Sequence, residues 1–403
     1  MALDVSIRES YERFPRLTSR FWTWLTGKPA QGQSAAWIVT PLAFAAAALC
    51  TFAAGIGLSG FALQGDGGWR WVGLVAGWGL TVNGARRMVS TVIHQCIHGR
   101  FSDHHWVDNL VADAFALLTL TETPIQYRRE HFVLHHRDDV FTTSADPAAA
   151  FLRAIGVVPG VTVRRLWQRL LVALVSPRFH LRFLAARLIS NLATGSILRR
   201  SIFVGSVTAL ALLAILVPDF GRVLALAYLL PVTILYHDSV LLEFVSEHAW
   251  FAPRTLDRPS RHVHATHSWG RFCGRRLPGP ELSRGRQMVS WAIWLAEHLF
   301  YHLPVRVLVL PGDLPQHDFH HRNPATRAWT QAAYARELEH LRLDPAWPAY
   351  QEFWGLHAAI NHVFAQLASQ PIVGSPEDAR QTQESSVAIS ASKVIKSAKF
   401  RVK

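Results

Sequence analysis

Eight histidines of this 403-residue chain fall into three short clusters that have the spacing of metal ligands. Neutral imidazole binds iron, zinc, copper and nickel. Residues three or four apart lie on one face of a helix, so the first and third clusters each present their rings on one side. The second cluster spreads over roughly 140° of a regular helix. The clusters are His94 and His98; His131, His135 and His136; and His317, His320 and His321.

The number of histidines indicates a site for two metal ions. Eight ligands are more than one ion binds, whereas a structural zinc site is a closed set of four that usually includes cysteines. Cys50, Cys96 and Cys273 form no C-x-x-C pair, which excludes a thiol-ligated cluster or an internal rubredoxin module. We therefore predict two iron ions that act on dioxygen, with zinc as the alternative metal.

Four apolar stretches are long enough to cross a bilayer, which needs about 20 apolar residues. Only 17% of the residues are charged, against about 25% in soluble proteins. We expect spans over residues 36–64, 71–93, 201–218 and 223–246; buried helices of a soluble protein are the alternative. Two spans separate the second cluster from the third. Because that number is even, all eight histidines return to the same side of the membrane.

The chain has a net charge of +13, and the distribution of its basic residues predicts the membrane topology. The segment between the second and third spans is rich in arginine, and the turn after the third span is nearly neutral. By the positive-inside rule, the N terminus, this segment, the metal site and the C terminus are cytoplasmic, as expected for a bacterial inner membrane protein. No compact basic domain is visible, so we expect no nucleic-acid partner. The arginines are Arg164, Arg165, Arg169, Arg178, Arg182, Arg187, Arg199 and Arg200.

These patterns predict an all-α, polytopic membrane protein with about four transmembrane helices and a cytoplasmic helical cap that holds the dimetal site. Residues 1–35 mix aromatic and basic side chains, which is typical of an interfacial segment. Residues 36–373 form the main domain. Residues 374–403 are rich in Ser, Gln and Lys, and we expect this tail to be disordered.

The three clusters resemble the histidine boxes that build the diiron centre of the membrane fatty acid desaturase and hydroxylase superfamily. The run HQCIHG beginning at His94 is similar to the first box, and the run YRREH ending at His131 is similar to the start of the second. The run HDFHH beginning at His317, with the Asn-Pro at Asn323, resembles the integral-membrane alkane hydroxylases. The resemblance covers about residues 80–330 and identifies residues 36–373 as a membrane fatty acid desaturase-like domain.

The resemblance implies a ninth histidine ligand, for which His248, directly after Glu247, is our choice. His267 and His302 are the competitors, and His104 and His105 are expected to face solvent or a loop. Carboxylates that fix the imidazole tautomers are also expected. The candidates are Asp103, Asp108, Glu130, Asp138, Asp139 and Asp318, and Asp238 and Glu243 of the fourth span either line the substrate site or pair with Arg86 and Arg87.

The function implied is that of an O2-dependent oxidoreductase that removes hydrogen from an unactivated C–H bond of a fatty acid or acyl lipid, giving desaturation. Hydroxylation, or oxidative decarboxylation of a free fatty acid to a terminal alkene, are alternatives. The three residues between His131 and His135 depart from many acyl desaturases and favour a hydroxylase. An external ferredoxin, rubredoxin or cytochrome must supply electrons. A histidine-rich metal transporter is a distant alternative, because it would place its histidines within the spans.

Overall fold

A computed structural model describes residues 6–252, 260–281, 283–342 and 344–371, and it is mostly helical, as expected. The expected disordered tail, residues 374–403, lies outside the described residues. The α-helices are α1 Ile7–Ser10, α2 Ser19–Thr26, α3 Pro41–Gln64, α4 Trp69–Arg87, α5 His94–Ile97, α6 His105–Leu118, α7 Pro124–Tyr127, α8 Pro147–Ala154, α9 Val163–Leu174, α10 Pro177–Ala193, α11 Ile197–Leu216, α12 Phe220–Val223, α13 Tyr236–Glu247, α14 Ser260–Thr266, α15 Arg284–Glu297, α16 His317–Arg322, α17 Ala332–Arg342 and α18 Leu356–Ser369.

Shorter elements connect these helices. Two strands, β1 Gly270–Phe272 and β2 Glu352–Trp354, pair in parallel with Gly270 opposite Glu352. The π-helical segments are Met88–Ile93, Arg128–His135, Leu224–Leu229, Pro231–Leu235, His298–His302 and Val305–Val309, and the 3-10 turns are Tyr11–Arg13, Arg16–Thr18, Leu314–Gln316 and Ala328–Gln331. Two of the π-helical segments lead into or contain histidine clusters, a position in which such irregularities are often functional.

Three helices are long and apolar enough to cross a membrane: Pro41–Gln64, Ile197–Leu216 and Phe220–Glu247. They correspond to the first, third and fourth expected spans. The second expected span, residues 71–93, is helical but is not among the three. A bent pair, Arg284–Val309 and Leu314–Arg322, would bring the number to four if it crosses as one unit. The structure therefore has three to four candidate spans, and the candidate for the fourth is not the one expected from the sequence.

Helix α4 is less apolar than these three helices because glycines and arginines replace large apolar residues along it. The glycines permit close packing on α3. A Cβ at Gly77 would lie 2.2 Å from the Ser59 Oγ, and one at Gly84 would lie 2.5 Å from the Phe52 backbone nitrogen. Helices in membranes commonly associate through such small residues. The α3–α4 pair is thus held together by backbone proximity rather than by a ridge of large side chains.

The Arg-rich segment between the second and third expected spans forms the strongly amphipathic helix α9 and the following helix α10. Leu171, Leu181 and Ile189 expose large apolar side chains on their outer faces, while Leu166 and Leu170 are fully buried. An exposed apolar face flanked by arginines is typical of a helix at a membrane interface. Among the described residues, the N-terminal helices pack on the C-terminal half of the chain instead of extending away from it. The expected boundaries at residues 35 and 373 stay predictions.

Candidate metal centre

The first cluster lies at the end of the long helix that begins at Trp69. The π-helical segment Met88–Ile93 carries the chain into α5, and Gly99 ends the helix with a φ of +68°, a conformation that favours glycine. The rings of His94 and His98 stack 4.8 Å apart, as the four-residue spacing predicts. Both rings are buried, and in the part of the chain that the structure describes neither ring nitrogen of His98 has a hydrogen-bond partner.

The second cluster lies on a π-helix, so the expected spread of its histidines over 140° is wrong. The backbone N–H of His136 donates to the His131 carbonyl 3.1 Å away, five residues back. Such a helix places each residue nearly above the one five positions earlier. The Nε2 atoms of His131 and His136 therefore approach to 3.1 Å, and all three histidines of the cluster face one region.

The third cluster occupies the short helix α16 and joins the other two. The Nε2 atoms of His317 and His321 lie 3.0 Å apart on one face of this helix. Its central member, His320, brings its Nε2 within 2.9 Å of the His94 Nε2 and 3.2 Å of the His136 Nε2. The structure thus brings together clusters separated by about two hundred residues in sequence.

His248 lies beside these clusters, where the sequence placed it. It follows α13 with an extended backbone and pairs with Ser268 in an isolated antiparallel bridge. Its fully buried ring is 4.7 Å from that of His321 and 5.2 Å from that of His135. The competitor His302 lies elsewhere, accepting a hydrogen bond from the Gly274 backbone N–H. The other competitor, His267, contacts Thr142 Oγ1 through Nδ1.

The candidate ligand atoms form two groups of four, each with all its members within 4.8 Å of one another. A third group shares His321 and contains His136 and His264. His264 is not among the ligands expected from the sequence, and its position stems from α14, which packs on α16. The first group is His94, His98, His131 and His320; the second is His135, His248, His317 and His321.

The chemistry of these groups fits two cations. Burial, with the neighbouring imidazoles, lowers the pKa of His131 and His136 well below the usual range, so both rings are neutral at physiological pH. A neutral imidazole offers one lone pair and is the form that binds metal. Nε2 atoms converge at 2.9 to 3.2 Å, and one cation per group would satisfy several of these lone pairs together.

A carboxylate that the sequence analysis missed orients one of the histidines. Asp146 is fully buried, and its Oδ2 accepts a hydrogen bond from His135 Nδ1 at 2.7 Å. The same side chain caps α8 by accepting from the Ala148 backbone N–H. The Asp-Pro at the start of a helix predicts the cap, but no local pattern predicts the contact with His135.

The six carboxylates expected to hold histidines mostly have other partners. Three of them pair with arginines: Asp103 with Arg327, Asp139 with Arg137, and Asp318 with Arg336. Asp108 accepts a hydrogen bond from Ser102, and Glu130 accepts one from Gln126. Asp138 alone among the six lies near an imidazole of the centre, with Oδ1 3.5 Å from His264 Nδ1. The expectation that this set fixes the imidazole tautomers is therefore not met by these five, whose recorded partners are an arginine, a serine or a glutamine.

Two acidic residues of α13 line the way to the centre. Glu243 forms the expected buried ion pair with Arg86. One turn later, the Glu247 carboxylate lies 3.6 Å from His317 Nε2 and 3.9 Å from His248 Nε2. Asp238, in contrast, faces His180 at 3.8 Å. Glu247 is thus a buried carboxylate at the edge of the histidine groups.

A cavity of about 630 Å³ opens directly onto the histidines, a volume within the usual range for small-molecule sites. His94, His131, His135 and His317 form one end, and Glu247 lies beside them. The lining is predominantly apolar and includes Val89, Ile93, Phe151, Phe183, Val240 and Phe244. The arrangement provides a largely apolar space next to the histidine groups.

The fatty acid desaturase family model matches residues 69–280, more than half of the chain. The matched stretch contains the first two histidine clusters and His248, and the third cluster follows it. No curated protein matches the chain. The match agrees with the resemblance carried by the clusters, and the chain belongs to the fatty acid desaturase family.

Proposed function

We propose that this protein is a membrane-bound, O2-dependent diiron oxidase that removes hydrogen from an unactivated C–H bond of a fatty acyl chain and desaturates it. The observation that carries the proposal is the pair of buried four-histidine groups at the end of an apolar cavity. Hydroxylation and oxidative decarboxylation would use the same centre, and the histidine geometry does not favour either.

The nine histidines divide between two iron ions. His94, His98, His131 and His320 would hold one ion, and His135, His248, His317 and His321 the other, with His136 between them. When bound, two iron ions supply the activation of dioxygen that C–H cleavage requires. The protein's own contribution is to hold neutral imidazoles in position, through Asp146 at His135 and Tyr127 Oη, 3.3 Å from His94 Nδ1.

The cavity walls position the substrate and exclude water. Phe151, Phe183 and Phe244 surround the space beside the histidines with apolar surface. An extended acyl chain in this space buries its methylenes, each worth about 0.8 kcal/mol. Glu247 lines the cavity and lies 3.6 Å from His317 Nε2, so it is placed to hold a proton next to the reacting carbon.

Electrons must come from a separate carrier such as a ferredoxin, rubredoxin or cytochrome. The net charge of +13 suits an acidic carrier, because opposite charge speeds the encounter. Arg129, in the second-cluster helix, is exposed close to the centre. We place the metal centre and both termini on the cytoplasmic side of a bacterial inner membrane, where such carriers are available.

The test is metal analysis combined with product analysis of the purified protein. It would be supplied with a surrogate ferredoxin and its reductase, oxygen, and lauric, palmitic or stearic acid. We expect two iron ions per chain and an oxidised product, both lost in His135→Ala and His320→Ala. The control is His104→Ala, because His104 is exposed and outside the histidine groups.

The product distinguishes the three reactions, and the metal distinguishes the protein classes. An internal double bond supports desaturation. An alcohol would show that the reaction is hydroxylation instead, and a terminal alkene would show that it is decarboxylation. Tightly bound zinc, or iron without oxygen-dependent turnover of any chain, would refute the oxidase and favour metal transport.

A further inference from the structure

A buried arginine that forms no ion pair with an acidic side chain among the described residues lines the cavity outside the histidine groups. Arg187 is 5% exposed and lines the cavity from α10. Its Nη1 donates to the Val232 carbonyl and contacts His237 Nε2, and its Nη2 donates to the Thr119 carbonyl. Its Nε–H has no acceptor among the described residues. A buried guanidinium is normally paired with an anion, and here the neighbouring protein groups are neutral.

The other buried arginine of the cavity differs from Arg187 in this respect. Arg86 forms an ion pair with Glu243, so its charge is compensated. Tyr236 lies between the two guanidinium groups, its ring centre 5.5 Å from the Arg86 Cζ and 5.0 Å from the Arg187 Cζ. The excess positive charge of the cavity is therefore concentrated at Arg187, whereas Glu243 and Glu247 supply acidic groups toward the metal end.

The surroundings of Arg187 are polar, unlike most of the cavity lining. Hydroxyl groups and one carboxyl group line this part of the cavity: Thr121, Glu122, Ser190 and Thr194. Burial, reinforced by Glu130, raises the pKa of Glu122 to about 8, so at neutral pH its carboxyl group is protonated and can donate a hydrogen bond. Burial lowers the pKa of Arg187 only to about 10, so the guanidinium stays charged.

We infer that Arg187 binds the carboxylate of a free fatty acid whose chain runs along α13 to the metal centre. The free Nε–H and the second Nη2 hydrogen of a guanidinium can bind both oxygens of a carboxylate. This inference rests on the proposed function and adds the head group of its substrate: an anion, rather than an ester or an alkane.

The length of α13 sets how far the reacting carbon lies from that carboxylate. Tyr236, next to Arg187, and Glu247, next to the histidines, are eleven residues apart on one helix, or roughly 16 Å at 1.5 Å per residue. Val240, Glu243 and Phe244 line the cavity between them. Attack then occurs far from the carboxyl group, and its position counted from the carboxyl carbon is the same for acids of different length.

The test is equilibrium binding of radiolabelled lauric acid and of methyl laurate to the purified, iron-loaded protein. We expect Arg187→Gln to weaken binding of the acid by about tenfold to a hundredfold, the effect of losing a charge-assisted hydrogen bond, and to leave the ester unchanged. The control is Arg182→Gln, because Arg182 is exposed on the same helix. Equal acid affinity in wild type and Arg187→Gln would overturn the inference.

Two further readouts keep the outcome decisive if Arg187→Gln fails to fold. Wild-type protein that binds methyl laurate as tightly as lauric acid would overturn the inference without any variant. A terminal alkene as product would also overturn it, because loss of the carboxyl group requires attack next to that group. Binding is measured without turnover, so head-group-selective binding in a protein that oxidises no chain would refute the proposed function alone.

Discussion

Asp146 combines two tasks that local sequence patterns would assign to different residues. It caps α8 through Oδ1 and accepts a hydrogen bond from His135 through Oδ2. A hydrogen bond of this kind fixes which imidazole nitrogen carries the proton, and it leaves Nε2 free for a metal. The stability of one helix and the orientation of one histidine therefore depend on the same carboxylate.

We expect Asp146→Asn to lower iron affinity by about tenfold to a hundredfold, as is usual when the group behind a ligand histidine is changed. Asparagine keeps a helix-capping oxygen, so the fold should survive. The measurement is iron retention against a graded chelator. Asp139→Asn is the control, since Asp139 is exposed and pairs with Arg137. Unchanged retention in Asp146→Asn would show that His135 is not held by this bond.

Glu122 should make the stability of the protein depend on pH. Its folded-state pKa of about 8 lies above the ordinary value of 4.5, chiefly because it is buried. A carboxyl group with a raised pKa disfavours the folded state once it must ionise, so the penalty grows as the pH rises from about 4.5 to about 8. At lower pH both states are protonated and the penalty disappears.

Glu122→Gln should therefore be more stable than wild type at about pH 8, by at least about 1 kcal/mol, and similar to it at about pH 5. Thermal melting in detergent at the two pH values checks this. The matched control is Glu297→Gln, because Glu297 forms an exposed pair with Arg275. A constant difference between Glu122→Gln and wild type at both pH values would contradict the pKa assignment.

Helix α16 carries the third histidine cluster, and a buried charge network holds it in place. Arg336 of α17 binds Asp318 at 2.7 Å and Glu352 of β2 at 2.9 Å. Lys28 binds Glu352 at 2.6 Å. Six residues are too few to form a stable helix alone. The position of α16 therefore depends on α17 and on the strand pair.

Arg336→Gln should destabilise the protein by about 3 to 5 kcal/mol, the usual effect of removing one partner of a buried ion pair. We also expect iron loss, because α16 would shift with its three histidines. The melting temperature and metal content measure both effects. Arg327→Gln removes an exposed arginine–aspartate pair with Asp103 and should change stability by no more than about 1 kcal/mol. Similar effects of the two substitutions would refute the network's role.

The metal centre connects parts of the chain that are otherwise held by separate contacts. His94 follows the helix α4 that packs on α3, His135 precedes α8, and α16 is fixed by α17. Two bound ions would link all of these elements. Binding to the folded state alone raises stability by mass action, so iron should contribute to the fold as well as to the reaction.

Removing iron with a chelator should lower the melting temperature, and adding ferrous iron back should restore it. A site filled at a hundred times its dissociation constant adds about 2.7 kcal/mol. The measurement is differential scanning calorimetry of apo and iron-loaded protein. His320→Ala serves as the comparison, since it should show little response to iron. A wild-type melting temperature that ignores iron would argue against a site shared by the three clusters.

Much of the centre could be predicted from the sequence because histidine spacing is a local property. Residues four apart share a helix face, so the pairing of His94 with His98 and of His317 with His321 followed from position alone. Long apolar runs likewise predicted the spans that begin at Pro41, Ile197 and Phe220, since the bilayer core sets their minimum length.

Only the tertiary structure determined what depends on packing between distant segments. The π-helix that gathers His131 and His136, the contact of Asp146 with His135 and the uncompensated charge of Arg187 have no local pattern. Hydrogen-bond partners and burial are set when elements far apart in sequence pack together. The interactions that stabilise these contacts join residues that are distant in the chain, so a local sequence pattern does not reveal them. The sequence by itself determined the metal-binding chemistry and the membrane class, while the folded structure determined the grouping of the ligands and the shape of the cavity.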